Sequence, residues 1–466
     1  MRGIVIDKAA RPLEDRARLF LNVLPVGLGL VFVSPLWGQQ PLSLAQAVET
    51  ALRSHPAVEV AQAGKDESGA GIRQARAGYL PRVDFSESWQ RSNNPVFVFG
   101  SLLNQGQFGE SNFAISSLNN PDALNNFQSR FNVQQVLFDS WRTKRAVRAA
   151  RLGSEMADEQ QRSTESDVVL GVVRTYFGTL LAAENLRVAE ESLKSAEADL
   201  ARAESLHQAG MTTEADVLSV RVHLSSVEQD RIRAEQDTQV ALAALNDALG
   251  VPLDSQYSLT TPLRALDAAV PPLADYERRA LASHPSLRQA EMGRMLAETQ
   301  VALARTSLWP QVTAHGILEA DRQRFSSQGS SNWLAGVSLQ WNVWDGSRNR
   351  AQIAAARSAE ARTAALERQA SSAVLLGIRR AWGNWRSAAE RVGVAAGAVG
   401  AAEASHEIIR NRYGAGLTTV TELIRSDTAL RVARFQHLGA QFEQRLAAAA
   451  LEHAAGVLTP SSAAVQ

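Results

Sequence analysis

The feature that most constrains this chain is a long polar run, rich in alanine and free of proline, from Asp139 to Gly210. As a helix rising 1.5 Å per residue it would be roughly 100 Å long, which is far too long for a globular core. Its apolar residues recur at alternating steps of three and four, at Leu186, Ala189, Leu193, Ala196, Leu200 and Ala203, and the following run repeats this at Val217, Val220, Leu224 and Val227. This spacing is the seam of a coiled coil.

A single break separates the two runs. Gly210 suits the end of a helix, and Thr212 or Thr213 suits the N-cap of the next one. The second run ends at Leu249-Gly250. The sequence therefore predicts a long antiparallel helical hairpin over residues 140–250.

The same design occurs twice in the chain. The turn Gly416-Leu417-Thr418-Thr419 repeats Gly210-Met211-Thr212-Thr213 after 206 residues, and Trp344-Asp345 repeats Phe138-Asp139 at the same offset. Upstream, His284-Pro285 repeats His55-Pro56 at an offset of 229 residues. The difference between the offsets means that the first copy has about 23 extra residues between Pro81 and Phe138. The chain is a tandem duplication, and duplication overrides a domain count based on length.

The duplication sets the predicted domains. The first structural repeat covers 41–257, with a β-hairpin at 82–138, and the second covers 258–458, with a β-hairpin at 311–344 and a helical hairpin at 346–457. Residues 92–126 are interpreted as a long loop. Residues 459–466 are interpreted as a short disordered tail.

The predicted β-hairpins have one apolar and one polar face. In the second copy Trp333, Ala335, Val337, Leu339, Trp341 and Val343 alternate with mostly polar or small residues. About ten alternating residues flanked by aromatic side chains are typical of a membrane β-barrel strand. A half-buried strand of a soluble sheet has the same period.

Four such strands cannot close a barrel, because about eight are needed before the interior merely fills with side chains. Two chains would supply eight strands and a filled interior, whereas three would supply twelve and leave an open lumen. A transport function favours three chains. We therefore predict a homotrimer with cyclic symmetry.

Composition and motifs exclude several function classes. The 48 basic and 48 acidic residues balance, so nothing indicates a nucleic-acid partner. There is no cysteine, which excludes disulfides and thiolate chemistry. His55 and His284 precede prolines at helix starts, and no ligand spacing supports a metal site. Without a phosphate loop or a nucleophile motif, the chain is not expected to be an enzyme or to hold a cofactor.

The N-terminus resembles a targeting segment. Arg16 and Arg18 precede the apolar run Leu19–Val33, which is short for a membrane span and contains Pro25. Residues 1–40 are interpreted as a signal peptide. The cleavage site is poor, and an uncleaved membrane anchor is the alternative.

Several motifs resemble one family. The junctions Phe138-Asp139-Ser140-Trp141-Arg142 and Trp344-Asp345-Gly346-Ser347-Arg348, the helix end Tyr79-Leu80-Pro81, and the turn that begins at Arg412-Tyr413 are similar to those of the TolC-like outer-membrane efflux proteins. The likeness spans about Leu42 to Val457. It implies a mainly α chain with a membrane β-barrel: a trimeric twelve-stranded barrel in the outer membrane of a Gram-negative bacterium, surrounded by lipid and continued by a periplasmic α-barrel of coiled-coil helices.

The resemblance also implies partners and a site. In that family the tunnel docks on a periplasmic adaptor protein and an inner-membrane transporter, and cargo passes unchanged. By motif position, Asp216, Tyr413 and Glu422 belong to the pore constriction. Arg425 stands where a second carboxylate would follow, so the resemblance implies a Glu422 ring tempered by Arg425. The turn residues Gly210, Met211, Gly416 and Leu417 would contact the adaptor.

Simpler roles exist for the same residues. Asp216 and Glu422 could be first-turn acids stabilised by a helix dipole. For the whole chain, three hypotheses follow: an exit duct for small molecules in a tripartite efflux pump, the outlet of a type I protein secretion system, and a periplasmic coiled-coil scaffold without a barrel. The alternation from Trp333 to Val343 separates the last from the others, because a scaffold would not need it.

Overall fold

The computed structural model describes residues 40–266 and 272–465, and the predicted signal peptide lies outside them except for Gln40. By its contacts the chain divides into an N-terminal unit that ends at Gln40 and a large unit that begins at Pro41. The first copy contains, in chain order, β1 (Gln40–Leu42), α1 (Leu44–Ser54), α2 (Pro56–Arg76), β2 (Arg82–Ser92), α3 (Pro95–Asn104), α4 (Ile115–Asn119), β3 (Leu124–Phe138), α5 (Arg142–Gln208) and α6 (Glu214–Leu249).

The second copy follows the same plan without the two short helices. It contains β4 (Tyr257–Leu259), α7 (Leu273–Ser283), α8 (Pro285–Ala304), β5 (Gln311–Arg322), β6 (Ser330–Gln340), α9 (Arg348–Gly414) and α10 (Val420–Ala454). Both α5 and α9 have 67 residues, as expected from the runs without proline. Their first residues are 206 positions apart, whereas α2 and α8 begin 229 positions apart, so the offsets read from the motifs hold for whole elements.

Local capping explains where the paired helices begin. The Nδ1 atom of His55 accepts a hydrogen bond from the backbone N–H of Ala57, and that of His284 accepts one from Ser286, both at 3.1 Å. Each imidazole therefore satisfies a backbone donor of the first turn, where an N-cap residue usually does so. The structural role predicted for both histidines is confirmed.

The passage from strand to long helix uses a left-handed turn in both copies. Ser140 and Trp141 have φ of 56° and 63°, and Gly346 and Ser347 have 66° and 71°. Non-glycine residues rarely adopt this region. The carboxylate of the preceding aspartate stabilises each turn, since Asp139 Oδ2 accepts from Thr143 N at 2.7 Å and the equivalent Asp345 does so from Asn349 N at 3.0 Å.

The four long strands form one antiparallel sheet in the order β2-β3-β5-β6. Its apolar face carries a row in which Phe131 pairs with Phe85 and Leu318, and Leu318 pairs with Trp333. The opposite face is polar and holds the ion pair of Arg130 and Glu319, at 2.8 Å. Apolar side chains of this sheet are exposed in the single chain, among them Val337 at 67% and Trp333 at 78%. The sheet therefore presents one face suited to lipid.

The main core lies near the middle of the long helices. Tyr176 and Phe177 of α5 are fully buried there with Leu245 of α6 and Ile378 of α9. The Tyr176 hydroxyl donates to the carbonyl of Leu42 and accepts from the N–H of Thr261, both at 2.9 Å, so it links the last residue of β1 to the segment that follows β4. One 18-residue window of α5 is apolar enough to cross a membrane by length and composition, and 44% of that window is buried. Its apolar character is explained by this core.

Three sequence interpretations are corrected. The predicted loop at 92–126 contains α3, α4 and a short 3-10 helix at Glu110–Phe113. Strand β6 ends at Gln340, so Trp341 and Val343 continue past the paired region. The tail is ordered as far as residue 465, because Ala464 and Val465 are buried in the main core.

Gly250 gives a stability prediction. It ends α6 with φ +69°, and a Cβ there would lie 2.5 Å from the carbonyl oxygen of Ser54. The conformation alone disfavours alanine by about 1–2 kcal/mol, and the close approach adds to that. Gly250→Ala is expected to lower the midpoint of thermal unfolding followed by circular dichroism. Gly383→Ala is the control, because no atom lies within 4 Å of its Cβ position and alanine favours helix; an equal loss in both would contradict the argument.

Candidate functional site

The two helical hairpins end in matching turns that lie side by side. Gly210 and Gly416 have φ of +72° and +73°, and Met211 N and Leu417 N each donate to a carbonyl five residues earlier at 2.9 Å. A Cβ on Gly416 would lie 3.8 Å from Met211 Cε, which brings the two tips into contact. Met211 is 62% exposed and Leu417 66%. The end of the helical hairpins that is farthest from the sheet thus carries two exposed apolar side chains per chain.

Asp216 is a capping residue in this structure. Its Oδ2 accepts from the hydroxyls of Thr212 and Thr213, both at 2.8 Å, and Thr213 Oγ1 accepts in turn from Asp216 N. These hydrogen bonds, chiefly the one from Thr213, hold the pKa of the Asp216 carboxyl below its ordinary value. The first-turn role expected as the alternative is therefore present, and its hydrogen bonds favour the ionised form of the carboxylate.

Glu422 has a looser environment at the equivalent turn. Thr419 caps α10 by accepting from Glu422 N, which leaves the carboxylate of Glu422 outside the cap. Arg425 Nη1 lies 3.5 Å from Glu422 Oε1, and both side chains are largely exposed. Such an exposed ion pair is weak. Glu422 therefore keeps a carboxylate available to a neighbouring surface.

Tyr413 lies inside the bundle rather than at its surface. It is 4% exposed and packs in a cluster with Val217, Val220 and Leu423, which come from α6 and α10. Its hydroxyl has no hydrogen-bond partner among the residues that the structure describes. Burial, and then the nearby carboxylates of Asp216 and Asp199, raises its pKa. Tyr413 thus joins the two hairpins through packing.

A buried polar cluster that sequence reasoning missed joins the hairpins close to this point. His223 Nε2 of α6 lies 3.0 Å from Asp427 Oδ2 of α10, and His406 Nδ1 of α9 lies 3.2 Å from Ser426 Oγ. Asp199 of α5 is buried beside them, and that burial raises its pKa, with Arg202 at 3.6 Å acting in the opposite direction. All four long helices contribute to the cluster. No sequence signal pointed to the cluster, because its members meet only once the two hairpins pack together.

At the other end of the molecule, the inserted segment packs on the polar face of the sheet. Gln105, which follows α3, donates through Nε2 to Asn126 Oδ1 at 2.8 Å, and Asn126 Nδ2 donates to Asp321 Oδ1 at 2.6 Å. Asp321 is completely buried. Asn126 of β3 and Asp321 of β5 belong to the same face of the sheet as Arg130 and Glu319. The inserted segment therefore covers the polar face of the sheet at the end farthest from the long helices α5 and α9.

No group of three or more metal-ligating side chains occurs within residues 40–266 and 272–465. An apolar-faced sheet that is open at both edges, joined to helices long enough to cross a wide aqueous layer, indicates the subunit of a membrane-anchored channel. The family comparison agrees with this class.

A family model described as outer membrane efflux protein matches residues 47–251 and 278–457. The chain belongs to the outer membrane efflux protein family. It is accordingly an outer-membrane channel protein of Gram-negative bacteria that extends into the periplasm. Members of the family work with adaptor proteins and inner-membrane transporters in efflux or secretion systems.

Individual relatives agree in sequence and in fold. Protein CyaE of Bordetella pertussis is 28% identical over 448 residues, covering 90% of this chain and 85% of its own. The pyoverdine export outer membrane protein OpmQ of Pseudomonas putida is 28% identical over 275 residues, covering 58% and 55%. The proteases secretion protein PrtF of Dickeya chrysanthemi is 24% identical over 219 residues, covering 47% and 44%. The CmeC outer membrane channel of Campylobacter jejuni has the same fold, with a TM-score of 0.77 at 16% identity, covering 90% of this chain and 87% of its own.

Proposed function

We propose that three copies of this chain form the outer-membrane exit duct of a tripartite efflux pump for small molecules. The observation that carries the proposal is the four-stranded sheet with one apolar and one polar face, whose outer strands β2 and β6 each keep one edge unpaired within the described residues. An exposed edge pairs with another strand when one is available. Joining β6 of one chain to β2 of the next gives twelve strands and an open lumen.

The inserted segment that covers part of the polar face favours a small cargo. In a closed ring the segment around α3 occurs three times at the exit and narrows it. A small solute passes such an opening more readily than a polypeptide. The pyoverdine export function in the name of OpmQ is in line with a small cargo. The protein itself performs no chemical step.

The outlet of a type I protein secretion system is the second candidate, and the likeness to PrtF favours it. One experiment separates the two. The gene would be expressed in one Gram-negative strain that lacks its efflux outer-membrane channel and in another that lacks its secretion outlet. Restored resistance to small toxic compounds supports the proposal, whereas restored protein export alone would transfer the assignment to secretion.

The exposed tips are proposed as the contact with a periplasmic adaptor protein. Because the chain has no cysteine, single cysteines at Met211 and Leu417 carry the only reactive thiols. Both are expected to cross-link to a co-expressed adaptor, detected as a larger species on a denaturing gel. A cysteine at Val240, exposed on α6 far from the turn, is the control. Capture at Val240 alone would contradict tip contact.

Glu422 is proposed as a ring of carboxylates around the closed tip, beside Tyr413 and Asp216. Three like charges on a narrow axis attract cations. In planar bilayers Glu422→Gln is expected to reduce cation selectivity and to weaken block by divalent ions. Glu214→Gln, on the first turn of α6, is the matched control. Unchanged selectivity in the Glu422 variant would remove the ring from the proposal.

A further inference from the structure

The strongest unassigned feature is an open basic cavity where the sheet meets the helices. Its volume is about 880 Å³, and it lies between the end of α2 and the start of α5. Its lining includes five cationic side chains, namely Arg76, Lys144, Arg145, Arg148 and Arg151. Tyr79 and Trp141 form an aromatic wall. The cavity is therefore strongly basic, although the net charge of the chain is zero.

The cations are not neutralised by the protein. Within the part of the chain that the structure describes, no carboxylate forms an ion pair with any of the five, and Arg145 instead donates to the carbonyl of Ser140 at 2.9 Å. Residues 140–154 contain no acidic residue at all. The N-terminal end of α5 adds the positive end of its dipole. An anion would therefore be attracted to the cavity.

The cavity is continuous with the face of the sheet that suits lipid. Phe138 pairs with Val312, which belongs to the apolar row of β5, and the Trp141 ring contacts the Phe138 ring edge to face at 5.6 Å. Trp141 and Tyr79 are both more than half exposed. Tryptophan and tyrosine in such positions mark the membrane interface. The cations thus lie at the depth of the lipid headgroups on the periplasmic side, because the long helices leave the sheet at this end.

We propose that the cavity binds the phosphate headgroup of an anionic phospholipid from the periplasmic leaflet of the outer membrane. The acyl chains would follow the apolar face of β2 and β3, and the phosphate would bind Arg76, Lys144 and Arg148. Arginine suits this role because its guanidinium donates two parallel hydrogen bonds to phosphate oxygens. The inference rests on the proposed membrane barrel. It adds a bound lipid that fastens the barrel to the helical rod.

The test uses the full-length protein in neutral detergent, with lipids added and counted by native mass spectrometry. Phosphatidylglycerol is expected to bind more tightly than phosphatidylcholine. The triple variant Arg76→Gln, Lys144→Gln, Arg148→Gln is expected to lose phosphatidylglycerol affinity by roughly tenfold or more, with little change for phosphatidylcholine. The control variant Arg362→Gln, Arg368→Gln, Arg380→Gln removes the same charge from exposed positions on α9 that are farther from the sheet. It is expected to bind like the wild type.

Several outcomes would overturn the proposal: no preference for phosphatidylglycerol, equal losses in both triple variants, or displacement of the lipid by inorganic phosphate at equal concentration, which would indicate a site for soluble anions. The single variant Arg148→Gln is expected to weaken phosphatidylglycerol binding measurably, and it supplies a second measurement if the triple variant does not fold. Heat-modifiable trimers are verified first in every sample. A trimer without bound lipid defeats only this inference, whereas a water-soluble monomer defeats the proposed function.

Discussion

Replacing Val337 by arginine is expected to abolish assembly in the outer membrane. Val337 lies in the middle of the apolar face of β6 and is exposed in the single chain. An arginine on the lipid face near the membrane centre costs about 2–4 kcal/mol per copy. In the proposed trimer three copies multiply this cost, and the total then rivals the whole stability of a typical domain. The heat-modifiable band of outer-membrane fractions should disappear.

The matched control is the next residue along the strand. Ser338 belongs to the polar face, so Ser338→Arg places the same charge in the aqueous lumen and should leave assembly intact. If the two arginine variants assemble equally well, the apolar face does not meet lipid. A scaffold without a barrel would then become the better reading.

Removing the inserted segment is expected to open the exit of the channel. In the variant, residues 93–123 are replaced by a two-residue Asn-Gly turn, which suits a tight connection between β2 and β3. A cysteine in place of Asn132, on the polar face of β3, then reports access from outside the cell. A bulky maleimide-polyethylene glycol is expected to label it roughly tenfold faster or more without the segment, because pore width controls entry.

Two controls define what this experiment measures. A cysteine at Ser326, in the exposed connection between β5 and β6, should label at the same rate with and without the segment. A small thiol reagent should reach the cysteine at position 132 in both proteins. Equal rates for the bulky reagent would mean that the segment does not narrow the exit, and the exit would then give no reason to prefer a small cargo.

Much of the fold could be predicted because its signals are periodic or repeated. The seam of the long helices has a fixed spacing, and the copied turns at Gly210 and Gly416 fixed both hairpins. The helix α3 was missed although Asn94 caps it and Pro95 occupies its first turn, because its residues were interpreted as part of the long loop at 92–126. The tail was missed since its burial depends on a core built from distant helices.

The candidate site was less accessible to sequence reasoning. Motif position located Asp216, Tyr413 and Glu422, but it did not reveal that Asp216 closes a capping box while Glu422 stays outside its cap. The cluster of Asp199, His223, His406 and Asp427 joins two helical hairpins that are far apart in the chain. A single sequence contains no sign of such a meeting until the register between the hairpins is known.

The paired turns have a consequence for stoichiometry. Each chain has two turns whose five central residues, 209–213 and 415–419, differ in one side chain only, methionine at 211 and leucine at 417. The proposed ring of three chains would therefore offer six binding positions of two alternating kinds. A partner that tolerates the exchange of methionine for leucine can seat six copies, whereas one that discriminates between them is limited to three.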